Sequence, residues 1–413
     1  MKCKCKIAVA FLLVLVMLVP LSLSCGGGGG GGKATIHIGF LTDLTGMASP
    51  ALKTITFITQ DMIRYYNDEN VIPGVRLKLD TYDTQFDASR YPLGYEWCKQ
   101  KGANMIITVI GDAALASEPF AARDKIPLAT ISGVDEDFTP PGWTFGFSDT
   151  NQGAAKILLH WVSENDWPNK GQGIPKIALI GWDDTVSTLD ANGLDRYLHA
   201  HPNEYDYVDR ITTPLGTMTF TSEALKLKNE GVDYVGVCSG TMWASFVRDL
   251  RAVGSQATVL DCLASIGAYT KLYSQQLGWD LLQGQYSTAN NLQWNETSSP
   301  IVQLATTLVN RYHSGGEAQD IIASGNSYVG VAFMVTGILE VLQQAIQNVG
   351  AKNFNGQAYY DAALNYNTTS SMWAGCPEFG FTETRRTLMD KSVINVYEGE
   401  NYVRISDWLP NVD

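Results

Sequence analysis

Apolar and polar residues follow one another along this chain in two rhythms that alternate from Ile36 onward. Short runs dense in Ile, Val and Leu occupy 36–41, 76–82, 104–110 and 127–131 and read as β-strands. Between them the apolar residues return every three or four positions. In the stretch 54–67, Ile55, Ile58, Met62, Ile63 and Tyr66 share one side of a helix. The strand runs are apolar throughout, as expected where helices cover both faces of a sheet. Strand and helix in alternation predict a parallel, doubly wound sheet.

The rhythm then restarts. Runs at 177–181, 205–211, 232–238 and 258–261 predict a second set of strands, with helices at 190–199, 222–230 and 243–253. The segment 143–153, from Trp143 to Gly153, reads as the connection between the two halves. A strand at 282–288, a long helix at 328–349 and closing strands at 392–397 and 402–408 follow. The expected fold class is α/β, with two Rossmann-like lobes built on doubly wound, mainly parallel sheets. Because the last strands come after both halves, the chain is expected to cross between lobes more than once. The expected division is 34–150 with 287–380 for lobe 1 and 151–286 with 381–413 for lobe 2. Ligands of open α/β sheets sit beyond the carboxyl ends of the strands, so two facing lobes define one cleft.

The first 33 residues break the pattern. Lys2, Lys4 and Lys6 precede an apolar run at 7–21. The run is shorter than the about 20 residues a membrane span needs, and it has the flank and length of a secretory leader. Leu21-Ser-Leu-Ser-Cys25 resembles the lipobox of bacterial lipoproteins, in which the Cys is acylated and becomes the new N-terminus. Ser22 stands where that pattern prefers Leu. The expectation is a leader over 1–24, a lipidated Cys25 and a tether through the glycines at 26–32 to Lys33. An ordinary cleaved leader is the alternative. A glycine run buries no side chain and has the greatest backbone freedom, which suits a flexible link.

Composition narrows the function classes. With 45% hydrophobic and 17% charged residues among 413, the chain is that of a well-cored globular protein. Its net charge of −13 and lack of a basic stripe exclude nucleic acid as the expected partner. Cys98, Cys238, Cys262 and Cys376 form no CxxC and no Cys/His cluster, so no metal site is expected. Cys238 and Cys262 each close a predicted strand; buried free thiols are the expectation and a disulfide the alternative. His199 and His201 lie two apart, a spacing that points the rings apart on a helix. No GxSxG elbow, P-loop or dinucleotide fingerprint occurs. No catalytic residue, metal or cofactor is expected.

Several segments together resemble a known family. Ile38-Gly-Phe-Leu-Thr-Asp-Leu-Thr-Gly46, Asp80-Thr-Tyr-Asp83, Ile126-Pro-Leu-Ala-Thr-Ile-Ser132, Arg248-Asp-Leu-Arg-Ala-Val-Gly254 and the closing strands to Trp408 stand in the order and spacing of type I periplasmic binding proteins. The similarity is to the leucine/isoleucine/valine-binding branch. It implies two lobes joined by three hinge strands that close around a small-molecule solute, an extracytoplasmic location, and delivery to an ABC permease in the cytoplasmic membrane. A monomer is expected. Carried over by position, the resemblance implies a ligand side of lobe 1 made of Leu44, Thr45, Gly111, Asp112, Ser132 and Gly133. Lobe 2 would contribute Trp182, Asp183, Thr185, Ser239, Gly240 and Thr241.

The chain departs from the family where amino acids are recognised. The usual serine after the third strand is replaced by Gly111-Asp-Ala113, and the usual glutamate after 258–261 is missing from Asp261-Cys-Leu-Ala-Ser265. Trp182 stands where a tyrosine is common. Trp182 reads as a flat pocket wall or as ordinary packing. Asp112 reads as a pocket residue or as the N-cap of a helix at 113–124. Asp183 and Asp184 read as ligand contacts, helix caps or solvated charges. The resulting expectation is the receptor subunit of an ABC uptake system for an amino-acid-like, amide or aromatic molecule. The alternative is a binding protein feeding a membrane signalling receptor. An enzyme is disfavoured because no nucleophile–base pattern is present.

Overall fold

The computed structural model describes residues 33–412. The leader, Cys25 and the glycine tether lie outside the described residues. In the first lobe β1 (Ala34–Thr42), α1 (Ser49–Asp68), β2 (Val75–Asp83), α2 (Tyr91–Gln100), β3 (Met105–Thr108), α3 (Gly111–Asp124), β4 (Leu128–Thr130), the short α4 (Asp135–Phe138) and β5 (Thr144–Gly146) follow in order. The five strands lie parallel in the order β2-β1-β3-β4-β5. Inner strands such as β3 are buried at every position. At the sheet edge β2 buries Val75 and Leu77 and exposes Arg76 and Lys78. That alternation blunts a free edge with charge, whereas inner strands have helices on both faces.

The second lobe runs α5 (Asn151–Trp161), β6 (Lys176–Trp182), α6 (Thr185–Ala200), β7 (Asp206–Thr213), α7 (Thr221–Glu230), β8 (Tyr234–Val237), α8 (Trp243–Ala252), β9 (Thr258–Asp261), α9 (Thr270–Leu277), α10 (Trp279–Leu282) and β10 (Tyr286–Ala289). Four helices return to the first core: α11 (Pro300–Tyr312), α12 (Gly316–Ser324), α13 (Ser327–Val349) and α14 (Gly356–Leu364). The chain then closes the second sheet with β11 (Lys391–Glu398), β12 (Asn401–Arg404) and β13 (Leu409–Pro410). That sheet has the order β7-β6-β8-β9-β10-β11-β12, with β13 on β11. β11 runs antiparallel to its neighbours, and the strands before it are parallel. The chain leaves the first core after Phe147, returns to it after Ala289, and passes once more between Met389 and Lys391.

Among the described residues, α13 is the one helix long and apolar enough to cross a membrane, and 83% of its apolar window is buried in the protein. It packs on α1, α11 and α14 as the central helix of the first lobe. Helices α5, α9, α11, α12 and α14 and the single turns α4 and α10 fall where the hydrophobic pattern predicted none. The connection expected at 143–153 holds the three-residue β5 and the first residues of α5. The strand expected at 282–288 begins only at Tyr286, because Trp279–Leu282 form a helical turn. The closing strand expected at 402–408 ends at Arg404, beyond which Ser406 bonds back to the Ile394 amide and interrupts the ladder.

β8 and β9 are neighbours, so Cys238 and Cys262 lie side by side, and all four cysteines of the described residues are free thiols. Hydrogen bonding to Cys238, and then burial, raise the Cys262 thiol well above its ordinary pKa. Both sulfurs pack in an apolar layer with Leu194, Leu198 and Leu260.

Candidate functional site

Each sheet reverses its strand order at one place: between β1 and β3 in the first lobe and between β6 and β8 in the second. At such a switch point adjacent loops leave in opposite directions and open a crevice. The loops after β1, β3 and β4 face those after β6, β8 and β9 across a cavity of about 220 Å³. A second chamber of about 180 Å³ continues it and shares Leu52, Val109, Ser132, Asn151, Leu263 and Tyr269. The lobes meet where α3 and α6 begin. A Cβ placed on Gly111 would stand 3.4 Å from the Val186 side chain.

The loop after β1 is shaped by a buried carboxylate. Asp43 accepts the amides of Thr45 and Gly46 through Oδ1 and that of Ala48 through Oδ2. Gly46 is obligatory, because a Cβ there would stand 2.3 Å from the Gln85 carbonyl oxygen. This turn presents Met47 and Ala48 to the cavity. Leu44 and Thr45 do not line it. The Leu44 amide donates to Asp83 at 2.9 Å and the Thr45 hydroxyl at 2.6 Å, tying this loop to the one after β2. Their place is behind the wall.

The loops after β6 and β8 are joined by a hydroxyl relay. Asp184 caps α6, accepting the Ser187 amide at 2.9 Å and its hydroxyl at 2.6 Å. Ser187 Oγ stands 2.6 Å from Ser239 Oγ, which accepts the Trp182 amide at 3.0 Å. The Trp182 indole N–H donates to the Thr217 carbonyl at 3.1 Å, so the ring is held at both ends with one face on the cavity. It also packs in the second core, so the wall and packing readings both describe it. Asp183 instead holds the next loop by accepting the Leu215 amide, and Thr185 opens α6 without lining the cavity.

Of the residues the resemblance implied, Gly111, Asp112, Ser132, Trp182, Ser239, Gly240 and Thr241 line the outer chamber. Leu44, Thr45, Gly133, Asp183 and Thr185 do not. Gly133 lies behind Ser132 against α4, where a Cβ would stand 2.8 Å from the Asp137 carboxylate. Asp112 makes no side-chain cap, so the N-cap reading fails. Burial pushes its carboxyl up to about 6, the charge of Asp184 across the cleft adding to the effect and the Val186 amide opposing it.

Met47, Phe86, Asn151, Leu215, Ser265 and Tyr269 also line the outer chamber and were not expected, whereas Asp184, one of the readings weighed for the acidic pair, both caps α6 and lines the chamber. Leu263 and Ser265 project because Asp261 folds their loop back. Its carboxylate accepts the Ile266 amide at 2.7 Å, the Ser287 hydroxyl at 2.9 Å and the Leu263 amide at 3.1 Å. Asn290, Asn291 and Asn326 edge the inner chamber. Asn290 and Asn291 directly follow β10, so the strand-end rule would have found them had the end of that strand been placed one residue further on, at Ala289. Among the described residues no group of three or more His, Cys, Asp or Glu stands together to hold a metal ion.

Two α/β lobes clasping one cavity between their switch points define a two-lobed binding protein. The family described as periplasmic binding protein matches residues 35–389, and the chain belongs to it. This family binds small solutes outside the cytoplasm and works with ABC permeases; its members are binding proteins, not enzymes. No curated protein sequence matches the chain. Among solved structures, a branched chain amino acid ABC transporter protein from Thermus thermophilus with bound valine is similar at a TM-score of 0.79 and 16% identity, covering 92% of this chain and 97% of that one. A solute binding protein from Rhodopseudomonas palustris in complex with 3,4-dihydroxy benzoic acid gives a TM-score of 0.71 at 16% identity, covering 92% and 99%. The branched-chain amino acid substrate binding protein LivJ from Streptococcus pneumoniae, in complex with isoleucine, gives 0.70 at 14%, covering 90% and 100%. These likenesses show the shared fold.

Proposed function

We propose that this protein is the receptor subunit of an ABC uptake system, capturing an amino-acid-like, amide or aromatic molecule by hinge closure between its lobes. The observation that carries this reading is the cavity itself, walled by strand-end loops of both lobes and by apolar side chains including Phe86, Trp182 and Leu215. A solute enclosed there contacts both lobes at once, so closure and binding are coupled. Similar proteins were solved with valine, isoleucine and 3,4-dihydroxy benzoic acid, molecules of the size this cavity suits. The ligand-contacting set is Gly111, Asp112, Ser132, Trp182, Ser239 and Thr241. Acylation of Cys25 and the glycine tether hold a monomeric receptor at the membrane surface beside its permease.

The test is a thermal-shift screen of residues 33–413 against amino acids, amides, aromatic acids and amines, followed by small-angle scattering with any ligand found. A rise of several degrees with one class and a smaller radius of gyration are expected. A ligand bound tightly with an unchanged scattering profile overturns the hinge-closure reading.

A further inference from the structure

The charges in the cleft are one-sided. Across both chambers the lining carries three carboxylates, Asp112, Asp149 and Asp184, and no Lys, Arg or His. Asp184 is satisfied by Ser187. The other two are not. Oδ1 of Asp112 and Oδ2 of Asp149 are buried without a hydrogen-bond partner, and Asp149 as a whole is only 3% exposed. Its Oδ1 accepts from the Thr150 amide and from Asn411, and the residue also lines a separate cavity beside Arg196, Arg385 and Arg386, so Asp112 is the unpartnered carboxylate that belongs to the outer chamber alone. A buried carboxylate oxygen with no donor is costly, and a donor carrying positive charge meets that need best.

The backbone adds to the asymmetry. The N-termini of α3 and α6 open on the cleft, and helix N-termini are ready sites for anions. Here the chain supplies its own anions, with Asp112 in the first turn of α3 and Asp184 as the cap of α6. A ligand carboxylate would enter beside negative charge already in place. The remaining walls are apolar and aromatic: Phe86, Trp182, Leu215 and Tyr269. A tryptophan face in a water-poor cleft attracts a cation.

Building on the receptor reading above, we infer that the solute is an organic cation, a protonated amine on an apolar body without a carboxylate, its ammonium donating to the Asp112 carboxylate. Phe86, Trp182 and Leu215 then pack on the apolar body.

The probes are four molecules that share one ring: 2-phenylethylamine, 3-phenylpropanamide, 3-phenylpropanoate and phenylalanine, compared by calorimetry at pH 7.5. The amine is expected to bind at least tenfold more tightly than each of the others. Asp112→Asn, which keeps one oxygen to accept the Val186 amide, is expected to weaken the amine at least tenfold and to leave the amide unchanged. An amine that binds no better than the carboxylate, the amide or the amino acid, absence of binding included, overturns the inference, as does an Asp112→Asn variant that binds the amine normally. Tight binding of one of the other three probes leaves the receptor reading standing; that reading falls on the scattering result.

Discussion

Four aspartates, three buried and one half-buried, set much of the chemistry at the residue scale. Burial pushes the carboxyls of Asp137 and Asp149 up to about 7 and that of Asp112 up to about 6, and holds Asp190 well above the ordinary range. Oδ1 of Asp137 and Oδ1 of Asp190 share with Asp149 the lack of a partner. Each group keeps its proton when folded at pH values where the unfolded chain has lost it. Their contribution to stability is therefore full below about pH 4 and is lost as pH rises through about 6 to 7. The melting temperature of the ligand-free protein is expected to be higher at pH 5 than at pH 7.5. Asp149→Asn removes one of these groups, so calorimetry should show a smaller difference between the two pH values; an unchanged difference would remove Asp149 from the account. Asp124, held well below the ordinary carboxylate range by Arg123 and Lys99, acts in the opposite sense and only at lower pH.

At the scale of single elements, α13 carries the first lobe. Its residues Phe333, Val335, Ile338, Leu339 and Leu342 are all fully buried, and α1, α11 and α14 pack around it. Ile338→Ala is expected to cost about 2–5 kcal/mol, the range for a large-to-small change in a close-packed core, and chemical denaturation would measure it. This helix was legible because 23 residues of apolar sequence can hide only in a core or a membrane. Its partners α12 and α14 were not, since nine residues with a partial apolar face give too few helical repeats to stand out. β5 was missed for the same reason: three residues cannot show an alternation. Within the site, Trp182, Ser239 and Thr241 were placed by the family resemblance, at the carboxyl ends of recognisable strands. Met47 and Phe86 were not, because hydrogen bonds to Asp43 and Asp83, and not the strand pattern, decide which residues of those loops turn inward.

For the whole molecule the question is how the two lobes approach. They touch at Gly111 and Val186, where the absence of a side chain on one wall lets α3 and α6 come together. Gly111→Leu is expected to prop the lobes apart, weakening ligand binding at least tenfold and leaving the radius of gyration unchanged when ligand is added. Scattering and calorimetry on the same sample test both points, and a variant that still contracts would show that the contact does not limit closure. The crossings that link the lobes converge near this cleft, and Asn411, at the end of the described chain, donates to Asp149 beside the first of them.

The sequence by itself determined the two-lobed α/β class, because the alternation of apolar runs and helical faces admits few packings and each half repeats it. It also determined which strand ends belong to the cleft, since that follows from topology. The tertiary structure decided the rest. Asp183 and Asp184 are identical in type and adjacent in sequence, yet one holds a neighbouring loop and the other faces the cavity. Leu44 and Thr45 share a turn with Met47 but lie outside the lining, because Asp83 draws them away. Asn151 and Asp149, on the crossing between lobes, join the cavity only once both lobes are folded. Which side chain of a loop faces inward depends on hydrogen bonds to residues about 40 positions away in sequence, a separation over which local propensity carries no information.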